Sequence, residues 1–175
     1  MKRPALFLDR DGVINVDYGY VHKPANFHFI PGIFELVKHA NRADWRVVIV
    51  TNQAGIAKGY YSLQQYRQLE TWLLDQFRQQ GAQIDAIYHC PHHPEHGEPD
   101  TRECDCRKPM PGMFLQAAAA LDIDMSASIL VGDKTSDLDA AKSAGVTTGY
   151  LVMPGQETDV FKQVNALLAS RTGIA

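Results

Sequence analysis

No stretch of this 175-residue chain approaches the roughly 20 consecutive apolar residues that a membrane-spanning helix needs. The opening "MKRPALFLDRDG" carries two basic residues, but its apolar run lasts only from Ala5 to Leu8, too short for the core of a signal peptide. The expectation is a cytoplasmic protein that does not bind membranes. A basic excess is also missing. Seventeen Lys plus Arg stand against 20 Asp plus Glu, a formal net charge of −3. Broad attraction to nucleic acid or to anionic lipid is therefore excluded, and any anionic ligand must be caught by local basic groups. Cysteine is scarce: the chain has three, at 90, 104 and 106. An odd count with two of them one residue apart is a poor disulfide framework. Repeats, low-complexity tracts and linkers are absent as well. A chain of this size can bury roughly 70% of its unfolded surface, so a single domain over 1–175, expected as a monomer, needs no staples.

What is present alternates. "ALFL" (5–8), "RVVIV" (46–50), "IDAIYH" (84–89), "SILV" (128–131) and "TTGYLV" (147–152) read as buried strands. Between them run helical patterns at 32–42, 62–81, from Pro111 through "MFLQAAAALD", at 136–145 and at 158–170. The second has the clearest signals. Ser62 and Gln65 form a capping box, Leu69, Trp72, Leu73 and Phe77 fall on one stripe, and Gly81 can end the helix. Strands alternating with helices indicate parallel βαβ units and a three-layer, Rossmann-like α/β fold. In such sheets ligands sit beyond the carboxyl ends of the strands.

The residues expected at those ends are unusual. The first strand stops at Asp9-Arg10-Asp11, the second at Thr51-Asn52-Gln53 and the fourth at Gly132-Asp133-Lys134, with Asp137 shortly after. A single aspartate after a strand is commonly a turn former or a helix cap, but several converging on one edge make a site. Clustered carboxylates repel and raise one another's pKa unless a cation neutralises them. A hard divalent ion with oxygen ligands, Mg²⁺, is the natural remedy, and carboxylates with Mg²⁺ suit phosphoryl transfer. A carboxylate can itself attack phosphorus, and Asp11, two residues on, can serve as general acid and then base. "GIAKG" (55–59) is not a nucleotide-binding P-loop, because Lys58 precedes its final glycine and Tyr60 follows it.

"DRDGVIN", "VTNQAGIAKG", "CRKPMPGM" and "VGDKTSDLDAA" resemble the motifs of the haloacid dehalogenase superfamily of aspartate-nucleophile phosphatases over most of the chain. The resemblance implies Asp9 as nucleophile, Asp11 as acid/base, and Thr51 and Lys108 as contacts that stabilise the phosphoryl group. It implies Mg²⁺ held by Asp9, Asp133 and the backbone carbonyl of Asp11. Substrate contacts are implied at Arg10, Asp17, Tyr18, Gly19, Tyr20, Asn52, Gln53, Ala54, Arg107 and Lys134.

Cys90-Pro-His92 and Cys104-Asp-Cys106 flank a polar loop within 90–109, an arrangement that closes a tetrahedral Cys₃His zinc site. His89, His92, His93 and His96 compete for the nitrogen position; the C-x-H spacing and the resemblance favour His92. A site with four protein ligands is structural, and Zn²⁺ there would pin the segment that presents Arg107 and Lys108. No segment is long enough for a large cap domain, so 12–30, 53–61 and the zinc loop must shape an open pocket for a small phosphorylated sugar. Histidinol phosphate, a nucleic-acid 3′-phosphate and a catalytically silent phosphate- or zinc-binding module remain alternatives.

Overall fold

The computed structural model describes residues 1–172. Five strands form one parallel sheet: β1 (Ala5–Leu8), β2 (Arg46–Asn52), β3 (Ala86–Cys90), β4 (Ile129–Gly132) and β5 (Thr148–Leu151), in the order β3-β2-β1-β4-β5. The connecting helices are α1 (Ile33–Arg42), α2 (Leu63–Gln79), α3 (Gly112–Leu121), α4 (Thr135–Ser143) and α5 (Glu157–Thr172). β1 lies at the centre, paired with β2 through Leu8↔Ile49 and with β4 through Leu8↔Val131. The strand order reverses there, which opens a crevice at the ends of β1 and β4.

Both faces of the sheet are covered, so the strands read as unbroken apolar runs. Leu6, Leu8, Val47, Ile49, Ile129 and Val131 point to one face, where the apolar stripes of α1, α2 and α5 pack. Ala5, Phe7, Val48, Val50 and Leu130 point to the other, against Met113, Phe114 and Ala117 of α3 and Ala140 and Ala141 of α4. This alternation is the two-residue period of a strand.

Several expected boundaries shift by a residue or two, and three of the shifts have a clear local reason. β2 extends through Thr51 and Asn52 because they pair with His89 and Cys90 of β3, which carries two polar side chains to the crevice on a strand rather than a loop. β3 begins only at Ala86, since Asp85 instead accepts Val47 N–H and pairs with Arg46. Pro111 precedes α3 as its cap rather than opening its first turn. Among the described residues no helix is long and apolar enough to cross a membrane.

Among the described residues no large cap domain covers the crevice. Segment 12–30 is an irregular strap tied by the isolated bridges Asp11↔Asn15 and Asn15↔Phe29, and 91–111 is a loop with one short 3-10 turn. α2 shows how local chemistry sets a boundary: Ser62 Oγ accepts Gln65 N–H, and the Gln65 side chain accepts Ser62 N–H. Ser62→Ala removes half of that capping box. It should lower unfolding free energy by about 1 kcal/mol in urea melts, and an unchanged midpoint would show that the cap carries no stability.

Candidate active site

Asp9 continues the β1–β4 ladder by donating its N–H to Val131 O at 3.0 Å, so the sheet itself aims this carboxylate at the crevice. Lys108 arrives from the opposite side of the sequence. Its ammonium donates to Asp9 Oδ1 at 2.7 Å and to Val50 O at 2.8 Å, and it pairs with Asp137 Oδ1 at 2.7 Å. All three N–H groups of the lysine are thereby used, and the lysine is 4% exposed. Asn52 fixes the same residue by its backbone: its Oδ1 accepts Lys108 N–H at 3.1 Å and its Nδ2 donates to Lys108 O at 3.2 Å. Asp137 is equally saturated, since Oδ2 accepts the N–H groups of Asp133 and Lys134 at 3.1 and 3.0 Å. Two glycines make room. A Cβ on Gly132 would lie 2.5 Å from that of Asp137, and one on Gly12, whose φ is 88°, would lie 2.5 Å from Asp133 Oδ2.

Carboxylate oxygens of Asp9, Asp133 and Asp137 lie within 4.8 Å of one another. Burial pushes Asp9 well above the ordinary carboxylate range; Lys108 pulls it back, and Asp137 and Asp133 add to the rise. Burial also raises Asp133. Burial opposes the charge of Lys108, but Asp9 and Asp137 outweigh it and hold its pKa above that of an ordinary lysine. Three carboxylates against one ammonium leave a formal charge of −2. A divalent cation is the physical counterweight. The donor set fits one: Asp133 Oδ1 is buried with no hydrogen-bond partner, and the oxygens around it are hard. Asp137 is the poorer ligand of the three, because both its oxygens are engaged.

Asp11 sits at the cleft wall, held by three donors. Arg10 Nη2 and Asn15 Nδ2 donate to Oδ1 at 2.7 and 3.0 Å, and Gln53 Nε2 donates to Oδ2 at 3.2 Å. Gln53 Nε2 also donates to Thr51 Oγ1 at 2.8 Å, while its Oε1 accepts the Tyr61 hydroxyl at 2.5 Å. Burial pushes Tyr61 up to about 12, so it remains a donor at neutral pH and fixes which way the amide points.

Above these groups opens a cleft of about 600 Å³. Asp17, Gly19 and Tyr20 reach it from the strap, Asn52, Gln53 and Ala54 from the end of β2, and Arg107, Lys108 and Lys134 from beyond β3 and β4. Two expected substrate contacts do not. The Arg10 side chain, 2% exposed, turns inward to Asp11 and Val21 O, because its charge finds both an anion and a carbonyl there. Tyr18 turns away from the cleft and stacks edge-on against His28, to which its hydroxyl is hydrogen-bonded at 3.1 Å. Thr51 is 1% exposed and lies beneath the cleft lining. Asn15 and Tyr61 were missed by sequence reasoning; nothing in their local pattern marks them. Asp137 carried a signal, four residues after Asp133 at a helix start, but its grip on Lys108 was not foreseen.

Beside the cleft, Cys90, His92, Cys104 and Cys106 form one cluster. Cys90 Sγ lies 3.7 Å from Cys104 Sγ and 3.8 Å from His92 Nδ1, and Cys106 Sγ lies 3.4 Å from His92 Nδ1. Zn–S bonds of about 2.3 Å and Zn–N bonds of about 2.0 Å at tetrahedral angles imply edges of about 3.8 and 3.5 Å, so these three separations suit zinc. Cys90 and Cys106 are closer, at 2.8 Å. His93 and His96 pair with each other outside the cluster. Burial raises the Cys90 thiol. It also works against a charged Cys104, but hydrogen bonds, the Arg107 N–H first, outweigh it and hold that thiol below its ordinary value. Arg107 Nη1 donates to His92 O at 3.2 Å, which ties the arginine to this cluster.

Comparison with known proteins bears on this arrangement. A family model described as HAD-hydrolase-like matches residues 105–165. D-glycero-beta-D-manno-heptose-1,7-bisphosphate 7-phosphatase of Vibrio cholerae is 52% identical over 157 residues, 89% of this chain and 84% of that protein. The protein of the same name from Escherichia coli K12 is 47% identical over 87% of this chain and 81% of its own length. The crystal structure of D,D-heptose 1,7-bisphosphate phosphatase from B. bronchiseptica, complexed with magnesium and phosphate, superposes with a TM-score of 0.80. It is 32% identical, over 98% of this chain and 99% of that one. Identity of this extent, over nearly the whole of each chain and on the same fold, reflects common descent: the chain belongs to the haloacid dehalogenase-like hydrolases.

Proposed function

We infer that this protein is a phosphatase that removes the 7-phosphate of D-glycero-β-D-manno-heptose 1,7-bisphosphate and leaves the 1-phosphate in place. The carrying observation is Asp9, a buried carboxylate at the end of the central strand, 2.7 Å from the Lys108 ammonium and two residues from Asp11 at the cleft wall. The substrate follows from the relatives of that name at 44–52% identity. Heptose 1-phosphate would then be available for nucleotide activation toward the lipopolysaccharide core.

In the first half-reaction an Asp9 oxygen attacks phosphorus in line, and the bond to the sugar oxygen breaks. Asp11 gives its proton to that oxygen. In the second half Asp11 takes a proton from water, the water oxygen attacks the phosphoaspartate, and phosphate leaves with Asp9 restored. Three donors hold the Asp11 side chain in place for the second half. To serve as acid in the first, Asp11 must bind a proton and give up one of those bonds. Lys108 lies on the attacking carboxylate and can neutralise charge on the transferring group, while Asp137 keeps the lysine ionised and in place.

Asp9, Asp133 and the backbone carbonyl of Asp11 would hold Mg²⁺, which when bound offsets the repulsion between the carboxylates and the phosphoryl oxygens. Cys90, His92, Cys104 and Cys106 would hold a structural Zn²⁺ and stiffen the segment leading into Arg107 and Lys108. Arg107 is the candidate grip on the distal phosphate, since it lines the cleft and its cluster fixes it.

Phosphate release should be fast from the heptose bisphosphate and slow from histidinol phosphate and from 3′-phosphorylated DNA; faster release from histidinol phosphate would overturn the substrate assignment. Asp9→Asn should lower kcat by about 10⁴-fold or more with zinc content and fold retained, because an amide cannot carry the phosphoryl group. Cys104→Ser should release zinc and lower the melting temperature; a variant with full zinc and wild-type stability would remove that ligand. Asp137→Ala leaves a buried lysine and two backbone N–H groups short of partners, and should cost about 3–5 kcal/mol in chemical denaturation.

A further inference from the structure

We propose that Lys58 is a specificity-determining residue: with Arg107 it supplies a second cationic contact for the phosphate that is not cleaved, and so selects bisphosphates over monophosphates. The proposal rests on the sugar-bisphosphate reading above and names a residue that the sequence analysis set aside when it rejected "GIAKG" as a P-loop.

The first support is an account of positive charge around the cleft. Lys108 is saturated by Asp9, Asp137 and a carbonyl, and Arg10 is buried against Asp11. Neither has charge to spare for a second anionic group. Among the described residues no carboxylate pairs with Lys58, Arg107 or Lys134. Lys134 follows Asp133 and serves the reacting end. Lys58 and Arg107 remain.

The second is that Lys58 is held, where a surface lysine would ordinarily roam. Its N–H bonds Ala54 O at 3.0 Å, inside a run of tight turns that also includes Tyr60 N–H to Gly55 O at 2.9 Å. Its ammonium donates to the Tyr20 hydroxyl at 2.8 Å and lies 5.2 Å from the Tyr20 ring centroid, with Tyr60 edge-on behind. Tyr20 lines the cleft. It also adopts φ 54°, left-handed backbone that is unfavourable for a bulky side chain and is met chiefly where a site requires it. Through that tyrosine the lysine is held beside a side chain of the cleft wall.

The third is adjacency. The loop that carries the Cys/His cluster packs on the turn that carries Lys58, so that a Cβ on Gly97 would lie 3.3 Å from Ala57 Cβ. Arg107, bonded to His92 O, approaches from that loop. The two cations are close enough for Arg107 to oppose the charge on Lys58, although the Tyr20 hydrogen bond keeps the Lys58 pKa raised. Two like charges this near, with no carboxylate paired to either among the described residues, repel until an anion enters between them.

The test uses the full-length protein loaded with Mg²⁺ and Zn²⁺. It compares kcat/KM for the heptose 1,7-bisphosphate with kcat/KM for the heptose 7-phosphate that lacks the 1-phosphate. Lys58→Met should reduce the bisphosphate-to-monophosphate ratio about tenfold, the size of one charge-assisted hydrogen bond, through KM rather than kcat. Lys58→Arg should restore most of it. An unchanged ratio in Lys58→Met overturns the role of Lys58 alone, as does an equal loss in Lys58→Arg. A wild-type ratio near one overturns the bisphosphate reading together with it.

Discussion

The buried ammonium of Lys108 is the interaction on which the rest depends. Asp9 follows β1 and Asp137 lies in the first turn of α4, and the ammonium between them offsets the burial of both carboxylates, which are 6% and 2% exposed. The lysine in turn could not stay charged in that setting without them. A charge buried on all sides is tolerable only when every donor and acceptor has a partner. Here the partners come from three separate elements, the end of β1, the backbone of β2 and the start of α4, and the lysine itself comes from the loop after β3. The cluster therefore forms only when the sheet has closed in its final order, and it links the geometry of the crevice directly to the fold.

Around that point the polar residues divide into two groups. Asn52, Gln53, Asn15 and Arg10 spend their hydrogen bonds on the protein, and through them Lys108 and Asp11 are positioned. Asp17, Tyr20, Arg107 and Lys134 keep polar groups toward the cleft. Under the proposed function, this division would let a pocket without a large cap be selective. Rigid groups below would hold the reacting end, while short loops above would meet the remainder of the ligand. The Cys/His cluster matters in the second group, because a loop of Pro, Gly and charged residues has no core of its own to hold Arg107 still.

Much of the fold was legible before any coordinates. All five strands and all five helices lie where apolar period and capping signals put them, since both depend on residues a few positions apart. The errors fell at ends set by distant partners. Thr51 and Asn52 joined β2 because β3 offers His89 and Cys90, and Asp85 left β3 because Val47 and Arg46 claimed it. The strand-end carboxylates were legible as a group, because parallel strands place like ends on one edge.

Residue types and their spacing determined the α/β alternation, the gathering of Asp9, Asp11 and Asp133 at one edge, and the Cys/His pairs that flank one loop. Only the tertiary structure decided that Arg10 turns inward while Arg107 faces the cleft, that Asp137 holds Lys108, and that Lys58 meets Tyr20. Periodicity reports which face of an element is buried. The direction of a long charged side chain is set by which opposite charge or carbonyl lies within reach, and those groups come from parts of the chain as far apart as Asp9 and Lys108.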